Sequence, residues 1–228
     1  MKAVILAAGK GVRMGELTKT LPKPLLTINR KTLLEYKLEL LPKSIEEIII
    51  VINYFGELIK EHIGSEYNGV KVRYVESELK GTCHALFSAK KYLVGDFLVM
   101  AGDDLYHKTD LQEIASTEGW ALQVAPITEK TNGGRVYVEK GILRDIQEGS
   151  HSAGYIATSL YKLNHEIFNY PPISISDKEY GLPQTIASAK NHRNIKISVA
   201  RVWRQVGEPK DLEVTEILLK NNPRLLQK

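Results

Sequence analysis

The first fourteen residues constrain the fold of this chain more than any other segment. Residues 2–7 form a short apolar run, and residues 8–14, Ala-Gly-Lys-Gly-Val-Arg-Met, follow it with small side chains and two glycines. A continuous apolar run of this length is typical of a strand buried on both faces of a parallel sheet. Glycines at the end of such a strand let backbone N–H groups approach an anion closely. This segment therefore predicts a buried strand that ends in a phosphate-binding loop.

Further apolar runs continue the pattern, with helical patterns between them. Strands are predicted at 2–7, 47–52, 70–75, 96–101 and 119–126, and helices at 32–41, 56–63, 82–92 and 109–118. Strand–helix alternation with continuous Val, Ile and Leu runs predicts an α/β fold with a doubly wound, mostly parallel sheet. Ligands of such sheets bind beyond the carboxyl ends of the strands, so a site is expected in those loops.

The second half of the chain has shorter strands and glycine turns, which predict a smaller β-rich lobe. Strands are predicted at 134–138, 141–146 and 154–157, a loop at 171–176, and helices at 179–189 and 208–221. The length of 228 residues predicts one domain, and we expect its halves to be residues 1–126 and 127–228.

Composition narrows the class of partner. The content of 43% hydrophobic and 25% charged residues is normal for a globular domain. The net charge of +4 is mild and comes without a basic block, so we expect anionic small molecules rather than nucleic acid. Cys83 is the single cysteine, which argues against disulfides and cysteine metal sites. Neither a signal peptide nor an apolar run of about 18 residues is present, so we expect no membrane span and a cytoplasmic location.

A second motif, Leu-Pro-Lys-Pro-Leu at residues 21–25, follows the glycine loop. Arg13 and Lys23 thus provide two cations near the loop, as a nucleoside triphosphate would require. The sequence lacks Gly-x-x-x-x-Gly-Lys-Ser/Thr, and its N-terminal glycines miss the dinucleotide-binding spacing by one residue. No suitable acidic residue ends the second strand, so a nicotinamide-binding domain is also disfavoured.

Together the two motifs resemble the signature of the sugar-1-phosphate nucleotidyltransferases, or nucleotide-sugar pyrophosphorylases. That signature, Ala-Ala-Gly-x-Gly-x-Arg followed by Pro-Lys-Pro-Leu, is matched at residues 7–13 and 22–25. The resemblance implies a Rossmann-like fold of the nucleotide-diphospho-sugar transferase type. It implies transfer of a nucleotidyl group from a nucleoside triphosphate to a sugar-1-phosphate. A C-terminal β-helix domain, which some relatives carry, is not expected.

The resemblance implies catalytic roles for two cations, Arg13 on the β and γ phosphates and Lys23 on the α-phosphate and the incoming phosphate. It implies nucleotide contacts from two loops, at Leu6, Ala7, Ala8, Gly9, Gly11, Glu76, Gly81 and Thr82. Glu76 stands where a glutamine reads the base in uridylyl enzymes. An ionised carboxylate only accepts hydrogen bonds, which suits uracil, thymine or guanine, so the base stays open. A solvated strand end is the alternative for Glu76.

The acidic loop Ala-Gly-Asp-Asp at residues 101–104 ends the fourth predicted strand. Carboxylates there either hold Mg²⁺ against phosphate oxygens or form a solvated turn and helix cap. The resemblance implies that Asp103 is a metal ligand and that Gln205 stands where the family has a second Asp. An amide oxygen binds Mg²⁺ without contributing charge, so we expect weaker metal binding than with two carboxylates.

The acceptor side lies in the second half, where the resemblance implies sugar-phosphate contacts from Gly134, Glu148, Gly154 and Tyr155. Gly149 replaces the lysine that usually meets the sugar phosphate. Two alternatives therefore stay open: a nucleotidyltransferase with a non-sugar acceptor such as phosphocholine, and a non-catalytic nucleotide-binding regulatory protein. The C-terminal leucines 218, 219, 225 and 226 would permit a homodimer without requiring one.

Overall fold

A computed structural model describes residues 1–227, which fold around one ten-stranded sheet. The strands are β1 (Lys2–Ala7), β2 (Thr27–Ile28), β3 (Lys31–Thr32), β4 (Glu47–Ile52), β5 (Glu66–Tyr67), β6 (Val70–Glu76), β7 (Asp96–Ala101), β8 (Leu105–Tyr106), β9 (Ala121–Pro126), β10 (Thr131–Glu139), β11 (Ile142–His151), β12 (Tyr155–Asn164), β13 (Ile173–Ser176), β14 (Glu179–Gly181), β15 (Lys196–Val199) and β16 (Trp203–Arg204). The helices are α1 (Leu33–Leu40), α2 (Gly56–Ile63), α3 (Gly81–Ser88), α4 (Lys108–Ser116), α5 (Leu182–Ser188) and α6 (Pro209–Asn221).

The large sheet has the order β10-β11-β15-β9-β12-β7-β1-β4-β6-β5. Its centre, β7-β1-β4-β6, is parallel, which confirms the predicted α/β fold. The strand β12 runs antiparallel between β7 and β9, so its first residues lie at the carboxyl edge of β7. Short turns join β10, β11 and β12, and such turns connect antiparallel strands. The second half therefore lines the same edge of the sheet as the first.

Apolar side chains cover both faces of the sheet, as a doubly wound fold requires. One cluster joins the sheet to α1, α2, α4 and α6, and the other joins it to α3 and α5. Leu219 and Leu226 are buried in the first cluster, so these two leucines are not available to a partner subunit. The homodimer and the boundary between residues 126 and 127 stay predictions. Within residues 1–227, no helix is both long and apolar enough to cross a membrane.

The first half matches the predicted strands and helices closely, whereas the second half departs from the prediction in several places. The strands predicted as short at 134–138, 141–146 and 154–157 are longer, with nine residues in β10 and ten each in β11 and β12. The predicted loop at 171–176 is wrong in part, because Ile173–Ser176 is a strand that pairs with Glu179–Gly181. The predicted helix at 179–189 begins only at Leu182, since the preceding residues belong to that hairpin. The prediction also missed β15, whose four residues extend the sheet beside β9.

Candidate active site

The glycine loop and the acidic loop lie side by side at the carboxyl ends of β1 and β7. The backbone N–H of Gly102 donates to the carbonyl of Leu6 at 2.9 Å. A Cβ on residue 102 would stand 2.9 Å from that same oxygen and 3.1 Å from the Cα of Ala7, so only glycine permits this contact. Ala8 is buried directly after the strand. The predicted loops are thus brought together by backbone contact.

Gly11 shapes the loop and lets Lys23 pack against it. Gly11 has a φ of +65° and precedes the 3-10 turn Val12–Thr18, and the Thr18 hydroxyl donates to its carbonyl at 3.0 Å. A Cβ on Gly11 would stand 3.0 Å from the Cβ of Lys23. Gly9 is exposed, and no non-neighbouring atom of residues 1–227 lies within 4 Å of where its Cβ would be. The backbone at Gly9 is therefore open to a ligand.

Lys23 and Asp103, from motifs 80 residues apart, are in direct contact. The Lys23 side chain is 8% exposed, and its Nζ lies 2.5 Å from Oδ2 of Asp103, whose side chain is 32% exposed. A buried ammonium needs a charged partner, because leaving it unpaired in the interior is strongly unfavourable. The predicted catalytic lysine and the predicted metal ligand therefore form one ion pair.

A second buried lysine, Lys37, lies behind this pair and was not predicted. Lys37 is 1% exposed, and its Nζ donates to the carbonyl of Leu33 at 2.9 Å. Burial lowers the pKa of Lys37, and the negative charges of Asp103 and Asp104 oppose that shift. The sequence does contain a signal, because Lys37 falls on the buried face of α1, which is otherwise leucine-rich.

Asp104 completes this charged cluster from inside the core. Burial raises the pKa of Asp104, repulsion from Asp103 adds to the rise, and Lys37 and Lys23 oppose it. Trp203 Nε1 donates to Asp104 Oδ2 at 3.1 Å. Two ammonium groups thus face two carboxyl groups, so the charges of the cluster offset one another.

Arg13 and Gln205 approach the same region from different segments. Arg13 is exposed, and its Nη1 lies 3.4 Å from where a Cβ on Gly207 would stand, just before α6. Gln205 is exposed and directly follows β16, whose last residue pairs with Leu105. If the ladder is extended by one position, Gln205 would stand opposite Asp104, at the acidic loop.

Gly81 and Thr82, predicted to contact nucleotide, fasten α3 to the β13–β14 hairpin and to α5. Gly81 has a φ of +86°, and a Cβ there would stand 2.5 Å from the carbonyl oxygen of Tyr180. The Thr82 hydroxyl oxygen accepts from the backbone N–H of Leu182 at 2.9 Å. Glu76 lies apart from this contact; it lines an open cavity of about 510 Å³ beside the start of α2, 3.8 Å from Lys60 Nζ.

On the acceptor side, the structure brings Gly134 and Glu148 together. They are paired in the β10–β11 ladder, and Glu148 Oε2 accepts from Gln184 Nε2 at 2.7 Å. A Cβ on Gly134 would stand 2.8 Å from a methyl carbon of Ile146, so packing also demands this glycine. Gln184 was not predicted, because only the helix α5 brings it to the strands.

Gly154 and Tyr155 lie one strand further along the same edge. Gly154 has a φ of +103° and packs on the Arg135 guanidinium, whose Nε is 3.0 Å from where a Cβ would stand. Tyr155 pairs with Val136 and with Pro126. The four predicted acceptor-side residues therefore occupy β10, β11 and the start of β12.

The donor atoms at the acidic loop suit a hard divalent cation. Within residues 1–227, no cluster of three or more His, Cys, Asp or Glu side chains is arranged to hold a metal ion. Mg²⁺, however, is usually bound by one or two protein carboxylates together with substrate phosphates. The partly exposed carboxylate of Asp103 and the exposed amide of Gln205 fit a cation that is held chiefly by a bound triphosphate.

Comparison with known sequences shows which proteins share these features. The Nucleotidyl transferase family profile matches residues 2–220. The bifunctional protein GlmU of Methanococcus aeolicus is 30% identical over 230 residues, covering 97% of this chain and 55% of that protein. The chain thus spans about half the length of that relative. The D-glycero-alpha-D-manno-heptose 1-phosphate guanylyltransferase of Campylobacter jejuni is 32% identical over 174 residues, 74% of this chain and 78% of that one.

Solved structures share the fold at lower identity. The inositol-1-phosphate CTP transferase of T. maritima has a TM-score of 0.80 at 18% identity, over 96% of this chain and 94% of that one. The CTP:phosphocholine cytidylyltransferase of Streptococcus pneumoniae has a TM-score of 0.75 at 21% identity, over 96% and 98% of the two chains. At these identities the likeness concerns the fold alone.

Proposed function

This chain belongs to the sugar-1-phosphate nucleotidyltransferase family, and from that premise we propose that it joins a nucleoside triphosphate to a sugar-1-phosphate and releases pyrophosphate. The observation that carries the proposal is the contact between Lys23 and Asp103 at the carboxyl ends of β1 and β7. Each of these residues belongs to a family motif. A reaction between two phosphates needs cations that neutralise phosphate charge and a carboxylate that can hold a metal ion beside them.

In the proposed reaction, a phosphate oxygen of the acceptor attacks the α-phosphorus of the triphosphate. A new P–O bond forms, the bond to the bridging oxygen breaks, and pyrophosphate leaves with that electron pair. The nucleophile is already an anion, so no general base is required. Catalysis then depends on alignment and on charge neutralisation. Lys23 would hold the α-phosphate and the acceptor phosphate, and Arg13 would hold the β and γ phosphates.

Asp103 and Gln205 are the residues that would hold Mg²⁺ in this proposal. When bound, the ion would neutralise phosphate charge that the protein cations do not reach. Lys23 keeps the Asp103 carboxylate in a fixed position before substrate arrives. The backbone N–H groups around Gly9 and Gly11 would add hydrogen bonds to the phosphate oxygens.

A second candidate acceptor is a non-sugar phosphomonoester such as phosphocholine. Gly149 favours it, because a glycine brings no cation to the position where the family usually places a lysine. The likeness in fold to a CTP:phosphocholine cytidylyltransferase supports including this acceptor in the test.

The test is pyrophosphate release with Mg²⁺ over a grid of substrates: the four ribonucleoside triphosphates and dTTP against a panel of sugar-1-phosphates and phosphocholine. We expect release that requires one triphosphate and one sugar-1-phosphate together. Release with phosphocholine alone would transfer the proposal to the second acceptor. A chain that binds a triphosphate by calorimetry but releases no pyrophosphate would instead be a nucleotide-binding regulatory protein.

A further inference from the structure

Gln184 contacts the acceptor side of the site from the first turn of α5. Its Nε2 donates to Glu148 Oε2 at 2.7 Å and lies 3.6 Å from where a Cβ on Gly134 would stand. An ionised carboxylate accepts hydrogen bonds but donates none, so the NH₂ end of the amide must face Glu148. The orientation of Gln184 is thereby fixed, and its carbonyl oxygen points away from the carboxylate.

That carbonyl oxygen is held in an unfavourable place. Gln184 Oε1 is buried and finds no hydrogen-bond donor among residues 1–227. A Cβ on Gly181 would stand 1.9 Å from this oxygen, so the glycine is what makes room for it. A buried acceptor without a partner destabilises a fold, and its retention needs an explanation.

The helix that carries Gln184 is anchored to the nucleotide side of the site. The backbone N–H of Leu182 donates to the Thr82 hydroxyl at 2.9 Å, and the Thr185 hydroxyl contacts Cys83 Sγ at 3.4 Å. Both partners lie on α3. The amide of Gln184 is therefore positioned by two packed helices and not by a loop.

We propose that Gln184 is a positioning residue that holds the Glu148 carboxylate in place to accept hydrogen bonds from the hydroxyl groups of a sugar phosphate. The inference rests on the proposed function and favours its sugar-1-phosphate acceptor over a non-sugar acceptor such as phosphocholine. Hydroxyl groups donate directional hydrogen bonds and so depend on the orientation of a carboxylate. A trimethylammonium group has no donor hydrogen, so its attraction to a carboxylate depends on distance far more than on the orientation of the carboxylate.

The test compares Gln184→Leu with the unsubstituted chain, measuring KM and kcat for the acceptor and for the triphosphate. Loss of the hydrogen bond should raise the acceptor KM about tenfold or more while the triphosphate KM stays within about twofold. Gln147→Leu is the matched control, because Gln147 is exposed on the same strand as Glu148 and hydrogen-bonds Tyr137 instead. The control should leave both KM values unchanged.

A double substitution separates positioning from general destabilisation. Gln184→Leu combined with Glu148→Gln should raise the acceptor KM no further than Glu148→Gln alone, because both changes remove one coupled contact. Discrimination between a sugar-1-phosphate and its deoxy analogues should also weaken in Gln184→Leu. An unchanged acceptor KM, or additive effects in the double variant, would overturn the inference, as would a preference of the unsubstituted chain for phosphocholine.

The failure of the proposed function is distinguishable from the failure of this inference. If the unsubstituted chain releases no pyrophosphate with any pair, binding of glucose-1-phosphate is measured directly by calorimetry in the presence of a triphosphate. Binding that weakens about tenfold in Gln184→Leu would support the role of Gln184 in a non-catalytic protein. Equal binding by both chains, or no binding by either, would overturn it.

Discussion

Lys23 combines burial and contact in a way that separates it from the surface lysines around it. Its ammonium group meets the Asp103 carboxylate at 2.5 Å, whereas Lys19 on the same segment is exposed and pairs with Glu16. Lys23→Met should lower kcat by at least about a hundredfold, because a cation aimed at developing phosphate charge is removed. Lys19→Met is the control and should retain normal turnover. Near-normal turnover of Lys23→Met in the pyrophosphate assay would remove Lys23 from the mechanism.

Gln205 gives a second prediction at this scale. Gln205→Asp should lower the Mg²⁺ concentration at half-maximal pyrophosphate release several-fold, because a carboxylate adds the charge that an amide lacks. The same change at the exposed Gln147, which lies on β11 and hydrogen-bonds Tyr137, should leave the Mg²⁺ dependence unaltered. Calorimetric titration with Mg²⁺ in the presence of nucleotide gives an independent measurement. An unaltered half-saturation in Gln205→Asp would place this side chain outside the metal site.

Individual residues divide into those that the sequence could predict and those that it could not. Asp103 directly follows the end of β7, the segment that contains Lys23 follows β1, and parallel strands bring their carboxyl ends to one edge. The proximity of Lys23 and Asp103 is therefore foreseeable from the pattern of strands. Lys37 and Gln184 sit on helices, and their contacts depend on how each helix rotates and packs against the sheet. Side-chain contacts of that kind are tertiary and leave little local signal.

The position of the β13–β14 hairpin against α3 depends on Gly81. Gly81→Ala should destabilise the chain more than Gly69→Ala, although both glycines have a similar positive φ, +86° and +81°. Each change introduces left-handed backbone strain of about 1 kcal/mol. At Gly81 the new Cβ would also meet the Tyr180 backbone at 2.5 Å, whereas Gly69 has no non-neighbouring atom of residues 1–227 within 4 Å.

Urea unfolding of the two alanine variants measures this difference. We expect Gly81→Ala to lose at least about 1 kcal/mol more free energy of unfolding than Gly69→Ala, because the hairpin must shift to relieve the contact. Equal losses would show that the hairpin moves freely away from α3.

Elements were predictable where the apolar pattern was long and were missed where it was short. The strands β1, β4 and β7 are continuous apolar runs, and each was predicted with its observed bounds. The hairpin strand Ile173–Ser176 alternates Ile and Ser, which favours a strand, but the preceding two prolines favour a loop. This segment forms a strand because it pairs with β14.

At the scale of the whole molecule, α3 packs against α5, and Cys83 lies at the contact between these two helices. Cys83 is fully buried, and burial raises the pKa of its thiol to about 11. At pH 8 the folded chain should therefore label slowly with a thiol reagent, because thiolate is scarce and access is blocked. Labelling in increasing urea should follow the tryptophan fluorescence change. Labelling that precedes this change would show that α3 and α5 separate before the core unfolds.

The general architecture was predictable because strand–helix alternation leaves few topologies. The continuity of the sheet was not predictable, since the sequences of β10 and β11 are typical of a separate small lobe. The structure joins them to the parallel strands through β12, β9 and β15, which are far apart in the chain. Strand pairings over such separations depend on the assembled core and not on local pattern.

The ion pair of Lys23 and Asp103 has a thermodynamic consequence for ligand binding. A phosphate that engages the lysine leaves the carboxylate without its counter-ion, and a divalent cation that engages the carboxylate frees the lysine for phosphate. Binding of either ligand thus breaks the ion pair that weakens binding of the other. By linkage this coupling is reciprocal, so triphosphate and cation should bind with positive cooperativity, and each should bind weakly when alone.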